Sequence, residues 1–462
     1  MSARETDLDV AVVGAGIAGL SVAAELRRAG RSVRVFEALD RVGGRMRTLR
    51  RAGFTIDEGA EQISAQGYRA TWQLLRRVGV RPPEVPPIGR TVGLWRDGRA
   101  HPGVGSRMAP LTGAGLSARA RVDVARFSLW MARHSRELDP DRPERGPLGA
   151  LTVTEFARRY HPELLTHLFQ PLAGAFFGWD PARSCAAPAV SLLREVGPVS
   201  AWRTYRGGMD LLARRLAAGL DVVTGSPVER VAADGEYAQL DVGGRTLTAR
   251  AVVLAVPAPV AAQLHANAPA GERTFLEACS FSPMLKVSCA LERPLTPRGG
   301  RSLYVLLTPQ AEEDTLAGMV LDHAKHPGRV PAGRGLVSLI ASPRQLPALL
   351  AAPREEVVER LTRAGERFLP GLRAARTDAW VHAFPHGLPE ATPAALRHRA
   401  AFHQRPPGPV EYAGDWVLLR PASEGAVRSA ALAAARVLAR LGGEVPGDPP
   451  LVPLADSPST DH

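Results

Sequence analysis

The chain has 462 residues, of which 45% are hydrophobic, so it can bury the cores of about two or three domains. Its formal net charge is +12, but only two of the 58 basic residues are lysines, and the other 56 are arginines spread along the chain. With 45 glycines and 40 prolines, this distribution indicates a compositional bias and argues against a nucleic-acid-binding surface. No apolar run approaches the roughly 20 residues of a membrane span, and the charged start MSARETD is not a signal peptide, so we expect a cytoplasmic location.

The first recognisable unit is a strand, a glycine-rich turn and a helix. The pattern predicts the strand over residues 8–13 and the helix over residues 18–29. Between and within them, Gly14 permits the turn, Gly16 lets the backbone approach a diphosphate, and Gly19 lets the helix pack on the strand. The unit therefore predicts a dinucleotide whose phosphates lie at the helix N-terminus.

The second strand and the loop after it add two signals. The strand, residues 32–36, ends at Glu37, whose carboxylate can accept hydrogen bonds from the hydroxyls of an adenosine ribose. The loop reads DRVGGR and contains Gly43, Gly44 and Arg45. With the first glycines it resembles the entrance of the flavin amine oxidase superfamily, which includes monoamine oxidases, protoporphyrinogen oxidases and carotenoid desaturases. The resemblance implies FAD rather than NAD, with this second glycine pair and its arginine along the diphosphate.

The motif FTIDEGAEQI resembles the strand and turn that bring backbone up to the isoalloxazine in this superfamily. By that resemblance, Gly59 and Ala60 are the residues of close approach. The acids Asp57, Glu58 and Glu61 are interpreted as turn and ribityl hydrogen-bonding groups rather than as catalysts, because hydride transfer to a flavin needs little acid or base help.

Residues 81–205 form one part of a substrate domain; they begin with the proline cluster RPPEVPPIG, and residues 90–205 are expected to be mostly helical. Their segment LFQPLAGAFFGWDP resembles the roof of the substrate cavity in protoporphyrinogen oxidases and related desaturases. Phe176, Phe177 and Trp179 are candidates for the cavity wall and equally for plain helix-packing core. The arginine-rich stretch 119–136 predicts an outer helix, with peripheral contact to anionic lipid as the alternative.

Lys286, in SPMLKVSCALERP, lies on a predicted strand of the substrate domain. It matches a lysine that holds a water near flavin N5 in monoamine and polyamine oxidases, so we assign it the catalytic role, although protoporphyrinogen oxidases generally lack it. The alternative is an ordinary strand lysine facing solvent. His382 and His386 lie in WVHAFPHGLP, near a turn that the family places by the cavity; a lone histidine is more often structural.

The remaining site residues lie in two later motifs, SPVERV and VEYAGDWVLLRPASEGAV. By resemblance, the first motif contacts adenine through its backbone, and the glycine-aspartate pair of the second reaches the ribityl chain or the diphosphate. Two free N–H groups at the start of the following helix would face flavin O2. The residues assigned in this way are Val228, Gly414, Asp415, Ala426 and Val427, with Trp416 in the substrate cavity.

The three cysteines, Cys185, Cys279 and Cys289, have no metal-ligand or redox spacing, so we expect no metal site. Some monoamine oxidases hold their flavin through a cysteine in the C-terminal part of the chain. No cysteine follows Cys289, so FAD is expected to be non-covalent.

Together these motifs predict an α/β fold: a Rossmann-type FAD-binding domain that is discontinuous, and an α+β substrate domain. The tail is rich in proline, glycine and acid and is expected to be disordered. The expected boundaries are 1–80, 206–265 and 408–442 for the FAD-binding domain, 81–205 and 266–407 for the helical and sheet parts of the substrate domain, and 443–462 for the tail.

The expected function is that of an FAD-dependent oxidoreductase that removes a hydride from a hydrophobic small molecule at a C–N or C–C bond and passes electrons to O2. The resemblance is closest to the protoporphyrinogen oxidase-like branch, and a pathway-specific amine oxidase would carry the same motifs. Three alternatives are a carotenoid- or terpenoid-type desaturase with another electron acceptor, a flavin monooxygenase, and a non-catalytic flavin-binding protein. Expected partners are the small molecule and O2, with no nucleic acid and at most peripheral membrane contact.

Overall fold

The computed structural model describes residues 6–106, 111, 113–300 and 303–443. Within these ranges the strands pair into two seven-stranded sheets and two strand pairs. In chain order the strands are β1 (Leu8–Val13), β2 (Val33–Phe36), β3 (Thr48–Arg51), β4 (Phe54–Asp57), β5 (Ile63–Ser64), β6 (Thr91–Arg96), β7 (Arg99–Val104), β8 (Trp202–Arg203), β9 (Asp221–Val223), β10 (Val228–Asp234), β11 (Tyr237–Val242), β12 (Arg245–Leu254), β13 (Ser280–Leu291), β14 (Leu303–Leu307), β15 (Leu316–Leu321), β16 (Gly335–Ala341), β17 (Arg376–Glu390) and β18 (Val410–Tyr412).

The α-helices cover both sheets and form most of a lobe between β7 and β8. In chain order they are Ile17–Arg28, Arg69–Arg77, Ala118–Arg133, Val153–Ala157, Pro162–Leu164, Gln170–Phe177, Ala186–Val196, Leu211–Ala217, Ala258–Leu264, Ala270–Ala278, Asp322–Lys325, Leu346–Leu350, Arg354–Glu366, Leu372–Ala375, Pro393–Gln404 and Ser423–Leu441.

The first sheet has the strand order β10-β11-β12-β1-β2-β9, and β18 pairs with the carboxyl half of β12. In β1, Val10 and Val12 pack with the helices Ile17–Arg28 and Ser423–Leu441, whereas Ala11 belongs to the core on the opposite face. Burial on both faces explains why residues 10–13 of β1 are a continuous apolar run. The strands of this sheet come from three separate parts of the chain, which confirms the predicted α/β fold with a discontinuous domain.

The second sheet has the order β17-β13-β16-β15-β14-β6-β7. One face packs against the helix Arg354–Glu366. The other face carries Val305 and Val320 and packs against side chains of the helical lobe, among them Phe176. This second face is the one that borders the site described below.

The edge hairpin of the second sheet departs from the expectation that residues 90–205 are mostly helical. β6 and β7 pair antiparallel, and the two turn residues Asp97 and Gly98 both have positive φ, 52° and 74°. Two residues with positive φ make the tight turn that suits the twist of a hairpin, and Asp-Gly is a strong sequence signal for it. The sequence therefore contained the evidence for this hairpin.

Beyond the hairpin the lobe is helical, as predicted. Its helices Pro162–Leu164 and Gln170–Phe177 are joined by a π-helical turn, Leu165–Phe169. Such turns occur frequently at functional sites. Phe169 packs edge-on against Phe127, with ring centroids 5.2 Å apart, and both line the same cavity.

No helix within the described ranges is long and apolar enough to cross a membrane. The tail predicted to be disordered, residues 443–462, lies outside the described residues except for Gly443.

Candidate active site

A cavity of about 1070 Å³ has walls from both sheets and from the helical lobe. One end is lined by the glycine turn after β1, including Gly14 and Gly16. The other end is lined by apolar side chains such as Leu172 and Val320. The two predicted halves of the site, one for a cofactor and one for a substrate, therefore belong to one continuous space.

The glycine turn after β1 has the geometry that the sequence predicts. Gly14 has a φ of 102°, and an added Cβ there would lie 2.8 Å from the carbonyl oxygen of Ala255. An added Cβ at Gly19 would lie 1.9 Å from the carbonyl oxygen of Gly14, so the helix packs on the turn without room for a side chain. At Gly16, by contrast, an added Cβ would meet nothing within 4 Å. Gly16 is thus part of the cavity wall and faces open space.

Glu37 follows β2 and lines the same end of the cavity. Its Oε2 accepts a hydrogen bond from the N–H of Ala15 at 2.7 Å, and its Oε1 accepts one from the N–H of Leu39 at 3.0 Å. Each carboxylate oxygen can accept a second hydrogen bond, so the oriented group can still bind hydroxyls. Val228, at the start of β10, also lines this end.

The second glycine pair lies directly on the first turn. Gly43 and Gly44 have φ values of 112° and 54°, in the left-handed region that favours glycine. The N–H of Gly43 donates to the carbonyl oxygen of Ala15 at 2.9 Å, and an added Cβ at Gly44 would lie 3.2 Å from Cα of Gly16. The two glycine loops therefore form one backbone surface.

Arg45 and Asp415 form a bidentate ion pair in the cavity wall. The two N···O distances are 2.7 and 2.9 Å, and the same guanidinium donates to the carbonyl oxygen of Gly387 at 3.0 Å. Asp415, which the sequence assigned to the ribityl chain or diphosphate, is thus held by an arginine. Gly414 before it also lines the cavity, where an added Cβ would lie 2.4 Å from the indole nitrogen of Trp416.

The assignment of free N–H groups to Ala426 and Val427 is corrected by the structure. The helix begins at Ser423, and the N–H of Ala426 already donates to the carbonyl oxygen of Ala422 at 3.1 Å. The first N–H groups of a helix lack intrahelical acceptors, so the available donors start at Ser423, which lines the cavity. Val427 does not line it. The sequence predicted the helix start at SEGAV correctly but assigned the free N–H groups about three residues too far into the helix.

The turn after β4 lines the cavity with Gly59 and Ala60. The N–H of Ala60 donates to the carbonyl oxygen of Arg45 at 3.0 Å, and an added Cβ at Gly59 would lie 2.2 Å from that oxygen. Glu58, however, pairs with Arg41 at 2.7 Å instead of facing the cavity as a ribityl group.

The other two acids of this turn, Asp57 and Glu61, hydrogen-bond buried cations; Glu61 also lines the cavity, whereas Asp57 does not. Glu61 accepts hydrogen bonds from Lys286 on one oxygen and from Lys325 on the other. Oδ2 of Asp57 accepts hydrogen bonds from Lys325 at 3.1 Å and from Arg329. We call the buried ionic group of these segments the charge cluster; its members are Asp57, Glu61, Lys286, Asp322, Lys325 and Arg329.

Charges of opposite sign set the electrostatics of the charge cluster. Burial alone would raise the pKa of Asp57, but the nearby Arg329 and Lys325 lower it well below its usual range. Burial likewise opposes the lowering of the Glu61 pKa by Lys286 and Lys325. Both carboxyls are therefore ionised at neutral pH. Asp322, which has fewer cationic neighbours, has its pKa raised to about 6 by burial.

Lys286 lies on β13 and is 1% exposed, which excludes the solvent-facing alternative. It lines the cavity beside Glu61. Besides its bond to Glu61, its ammonium donates to the carbonyl oxygen of Asp57 at 2.5 Å. Because an ammonium has three N–H donors, one remains for a group in the cavity.

The apolar half contains two of the three predicted aromatic residues. Phe176 and Phe177 line the cavity, and Phe176 packs edge-on against Trp202 with ring centroids 5.4 Å apart. Trp179 is a correction: it is 1% exposed, does not line the cavity, and donates its indole N–H to the carbonyl oxygen of Pro389 at 2.9 Å. It belongs to the core behind the wall.

Of the predicted histidines, His386 lines the cavity and His382 does not. Nδ1 of His382 lies 3.8 Å from a carboxylate oxygen of Glu58, and burial lowers the pKa of this histidine. The assignment of His382 to the substrate cavity is therefore corrected to a position behind the wall. Trp416 lines the cavity, but it lies beside Gly414 at the cofactor end and donates its indole N–H to the carbonyl oxygen of Val256 at 3.0 Å.

A family profile described as flavin containing amine oxidoreductase matches residues 17–438. The chain belongs to this family. Membership confirms the prediction of an oxidoreductase with a flavin cofactor and agrees with the predicted combination of an α/β cofactor domain and a substrate domain.

Curated relatives within this family resemble separate parts of the chain. AofH of Mycobacterium tuberculosis, named as a flavin-containing monoamine oxidase, is 39% identical over 140 residues, which are 29% of this chain and 30% of AofH. Protoporphyrinogen oxidase 2 of Arabidopsis thaliana is 30% identical over 175 residues, which are 37% of this chain and 33% of that protein. The matches thus span about a third of these relatives.

Solved structures extend the likeness to the whole fold. Cyclohexylamine oxidase from Brevibacterium oxydans superposes with a TM-score of 0.77 over 94% of this chain and 100% of that chain, at 20% sequence identity. At this identity the comparison shows that the two chains share a fold, and no more.

Sequence reasoning missed Lys325 and Arg329 of the charge cluster in this family member. Their partners Asp57 and Glu61 are more than 260 residues away along the chain, so no local spacing reveals the contact. Composition held one signal: Lys325 is the only lysine besides Lys286.

Proposed function

We propose that the chain binds FAD non-covalently, removes a hydride from an apolar small molecule, and is reoxidised by O2. The observation that carries the proposal is the continuous cavity, which joins a backbone surface made by two glycine loops to an apolar chamber. Lys286 and Glu61 line it next to Ala60.

The residues at the glycine end fit the two ends of FAD. Gly16 and Gly44 present bare backbone at the N-terminus of the helix Ile17–Arg28, where N–H groups and the helix dipole favour a diphosphate. Glu37 would accept hydrogen bonds from the ribose hydroxyls, and Val228 would lie against the adenine. Gly59 and Ala60 would approach the isoalloxazine, with Ser423 offering a helix N-terminal N–H nearby.

The bound FAD would supply the hydride acceptor, so the protein needs to orient the substrate and to exclude water. The chamber wall does both through apolar contacts, among them those of Leu172, Phe176 and Val320. The remaining N–H of Lys286 would hold a water or O2 at the wall, and its positive charge would stabilise charge that develops there.

Non-covalent binding is supported by the positions of the cysteines. Cys185, Cys279 and Cys289 are buried, and none lines the cavity. Burial also raises the pKa of the Cys185 thiol and the Cys289 thiol to about 12, which keeps both protonated and unreactive.

The substrate is proposed to be hydrophobic and to be oxidised as in the protoporphyrinogen oxidase-like branch or in a pathway-specific amine oxidase. The names of the Arabidopsis protoporphyrinogen oxidase and the cyclohexylamine oxidase mark these two possibilities. The carboxylates that line the cavity are already bound: Glu37 by backbone N–H groups, Glu61 by two lysines and Asp415 by an arginine. An apolar substrate fits such walls better than a polycation.

The test is anaerobic mixing of the purified yellow protein with porphyrinogens, polyenes and hydrophobic amines while the absorbance of oxidised flavin is followed. We expect one class to bleach the flavin. Leu172→Trp, which would fill the chamber, should slow that bleaching, and Leu432→Trp, at an exposed position of the helix Ser423–Leu441 that does not line the cavity, is the matched control. Bleaching that is equally fast in both variants would place the substrate elsewhere. Acid precipitation should leave the flavin in the supernatant.

A further inference from the structure

The charge cluster brings together both lysines of the chain, although arginine supplies the other 56 basic residues. Lys286 and Lys325 come from different parts of the second sheet, β13 and the short helix after β15, and each is 1% exposed. Arginine differs from lysine in presenting a wide planar fork, whereas an ammonium is a compact point charge with three donors. Both lysines therefore lie in one crowded ionic cluster, which also contains Arg329.

Glu61 links the two lysines. Its Oε1 accepts a hydrogen bond from Lys286 and its Oε2 accepts one from Lys325. The Glu61 side chain is 11% exposed, against 0% for that of Lys325. Glu61 and Lys286 line the cavity, and Lys325 does not. Lys325 can therefore influence the cavity only through a partner.

The remaining contacts of Lys325 are with two further buried carboxylates, those of Asp57 and Asp322. Its Nζ donates to Oδ2 of Asp57 at 3.1 Å and lies 3.4 Å from Oδ1 of Asp322. Asp57 is itself held by Arg329 and accepts hydrogen bonds from the backbone of Met209 at 2.8 Å. Lys325 thus ties the turn that carries Glu61 to the short helix after β15. Asp57 ties the same turn to Met209.

From this geometry we propose that Lys325 is a positioning residue that acts through Glu61 to hold the ammonium of Lys286 at the cavity wall. Without Lys325, three buried carboxylates would compete for the remaining cations, and Glu61 would lose one of the two bonds that fix its orientation. The inference rests on the proposed function, because it assigns the effect to the step in which Lys286 takes part.

The first experiment tests directly whether Glu61 bridges the two lysines. A protein labelled with ¹⁵N-lysine contains two side-chain Nζ signals, and Lys325→Arg leaves only that of Lys286, which assigns both. We expect Glu61→Gln to shift both signals, because both lysines donate to Glu61. Asp322→Asn is the matched control and should shift the Lys325 signal, from whose Nζ it lies 3.4 Å away, more than the Lys286 signal, which it reaches only through its charge. A Glu61→Gln variant that shifts only one signal would overturn the bridge.

The second experiment measures coupling. Reoxidation of photoreduced flavin by O2 is followed in Lys325→Met, Lys286→Met and the double variant. We expect Lys325→Met to slow reoxidation about tenfold, or ~1.4 kcal/mol, within the range for residues that share a partner. It should have no further effect in the Lys286→Met background. Equal effects in both backgrounds would reduce Lys325 to a purely structural role and overturn the proposal.

Two controls keep the outcomes separate. Lys325→Arg retains the charge and should recover part of the rate, which also covers the case that Lys325→Met does not fold. Arg399→Met removes a different buried cation, paired with Glu144 at 2.8 Å and outside the cavity wall; it should lower stability but leave reoxidation unchanged. If the protein binds no flavin, the proposed function fails, while the NMR experiment still decides whether Glu61 bridges the lysines.

Discussion

Around Gly16 and Gly44 the cavity wall is backbone, whereas beside Lys286 it rests on buried charges that come from several distant segments. The first region has Glu37 and the Arg45–Asp415 ion pair beside it, but its own shape depends on the absence of side chains. The second depends on long side chains whose charges cancel only when all partners are present. A substitution in the first region should therefore act through space and backbone geometry, and one in the second through charge.

The largest effect is expected in the backbone region, from Gly19→Ala. Its Cβ would lie 1.9 Å from the carbonyl oxygen of Gly14, so helix and strand must separate at a cost of about 3 kcal/mol or more. Thermal unfolding with and without added FAD should show the loss in both conditions. Gly16→Ala is the matched control: its Cβ meets no protein atom within 4 Å, so the protein without FAD should keep its Tm and lose only the increase caused by FAD. Equal Tm losses in the two variants without FAD would contradict this division.

The charge region is tested by Lys286→Met. Removing the ammonium should slow reoxidation of reduced flavin by O2 about a hundredfold, the usual loss when a preorganised donor to developing charge is removed. Flavin reduction by substrate should change far less. Stopped-flow traces of both half-reactions provide the comparison. Reoxidation rates equal to those of the wild type would remove Lys286 from the site and favour a desaturase with another electron acceptor.

Lowering the pH should destabilise the first sheet, which contains β18, before it weakens the charge cluster. His265 bonds Tyr412 of β18 and is 1% exposed, and burial lowers its pKa to about 4. The unfolded chain therefore binds the proton first, and stability falls as pH decreases from about 6.5 towards 4, by about 2 kcal/mol at pH 5. Asp57 and Glu61 have lowered pKa values, so their stabilisation persists through this window and is lost only at lower pH.

Denaturant unfolding of wild type and His265→Gln at pH 7 and pH 5 checks this expectation. The variant should lose less stability than wild type between the two values. It should keep some pH dependence, because burial also lowers the pKa of His403 to about 4. The same pH dependence in both proteins would show that His265 does not titrate as its burial requires.

The site was easier to predict from the sequence in the backbone region than in the charge cluster. Gly14, Gly16, Gly19 and Glu37 lie within a short contiguous stretch, and local rules of turns and helices fix their relation. The helix start at SEGAV was predicted correctly, but the free N–H groups were assigned to Ala426 and Val427, although the Ala426 N–H already donates to Ala422. Lys325 was missed because tertiary structure alone brings it to Glu61. Trp179 was uncertain because one local pattern serves both a cavity wall and a core.

The pairing of β18 with the end of β12 has a consequence for synthesis of the chain. Val410 aligns with Val252, and the helix Ser423–Leu441 then completes the core that contains Val10. As the chain leaves the ribosome, β1 therefore waits for almost the whole polypeptide before its last neighbours exist. Contacts so distant in sequence close slowly and leave apolar surface exposed to aggregation in the meantime. Nascent chains released before residue 410 should consequently depend on chaperones, whereas full-length chains should not once folded.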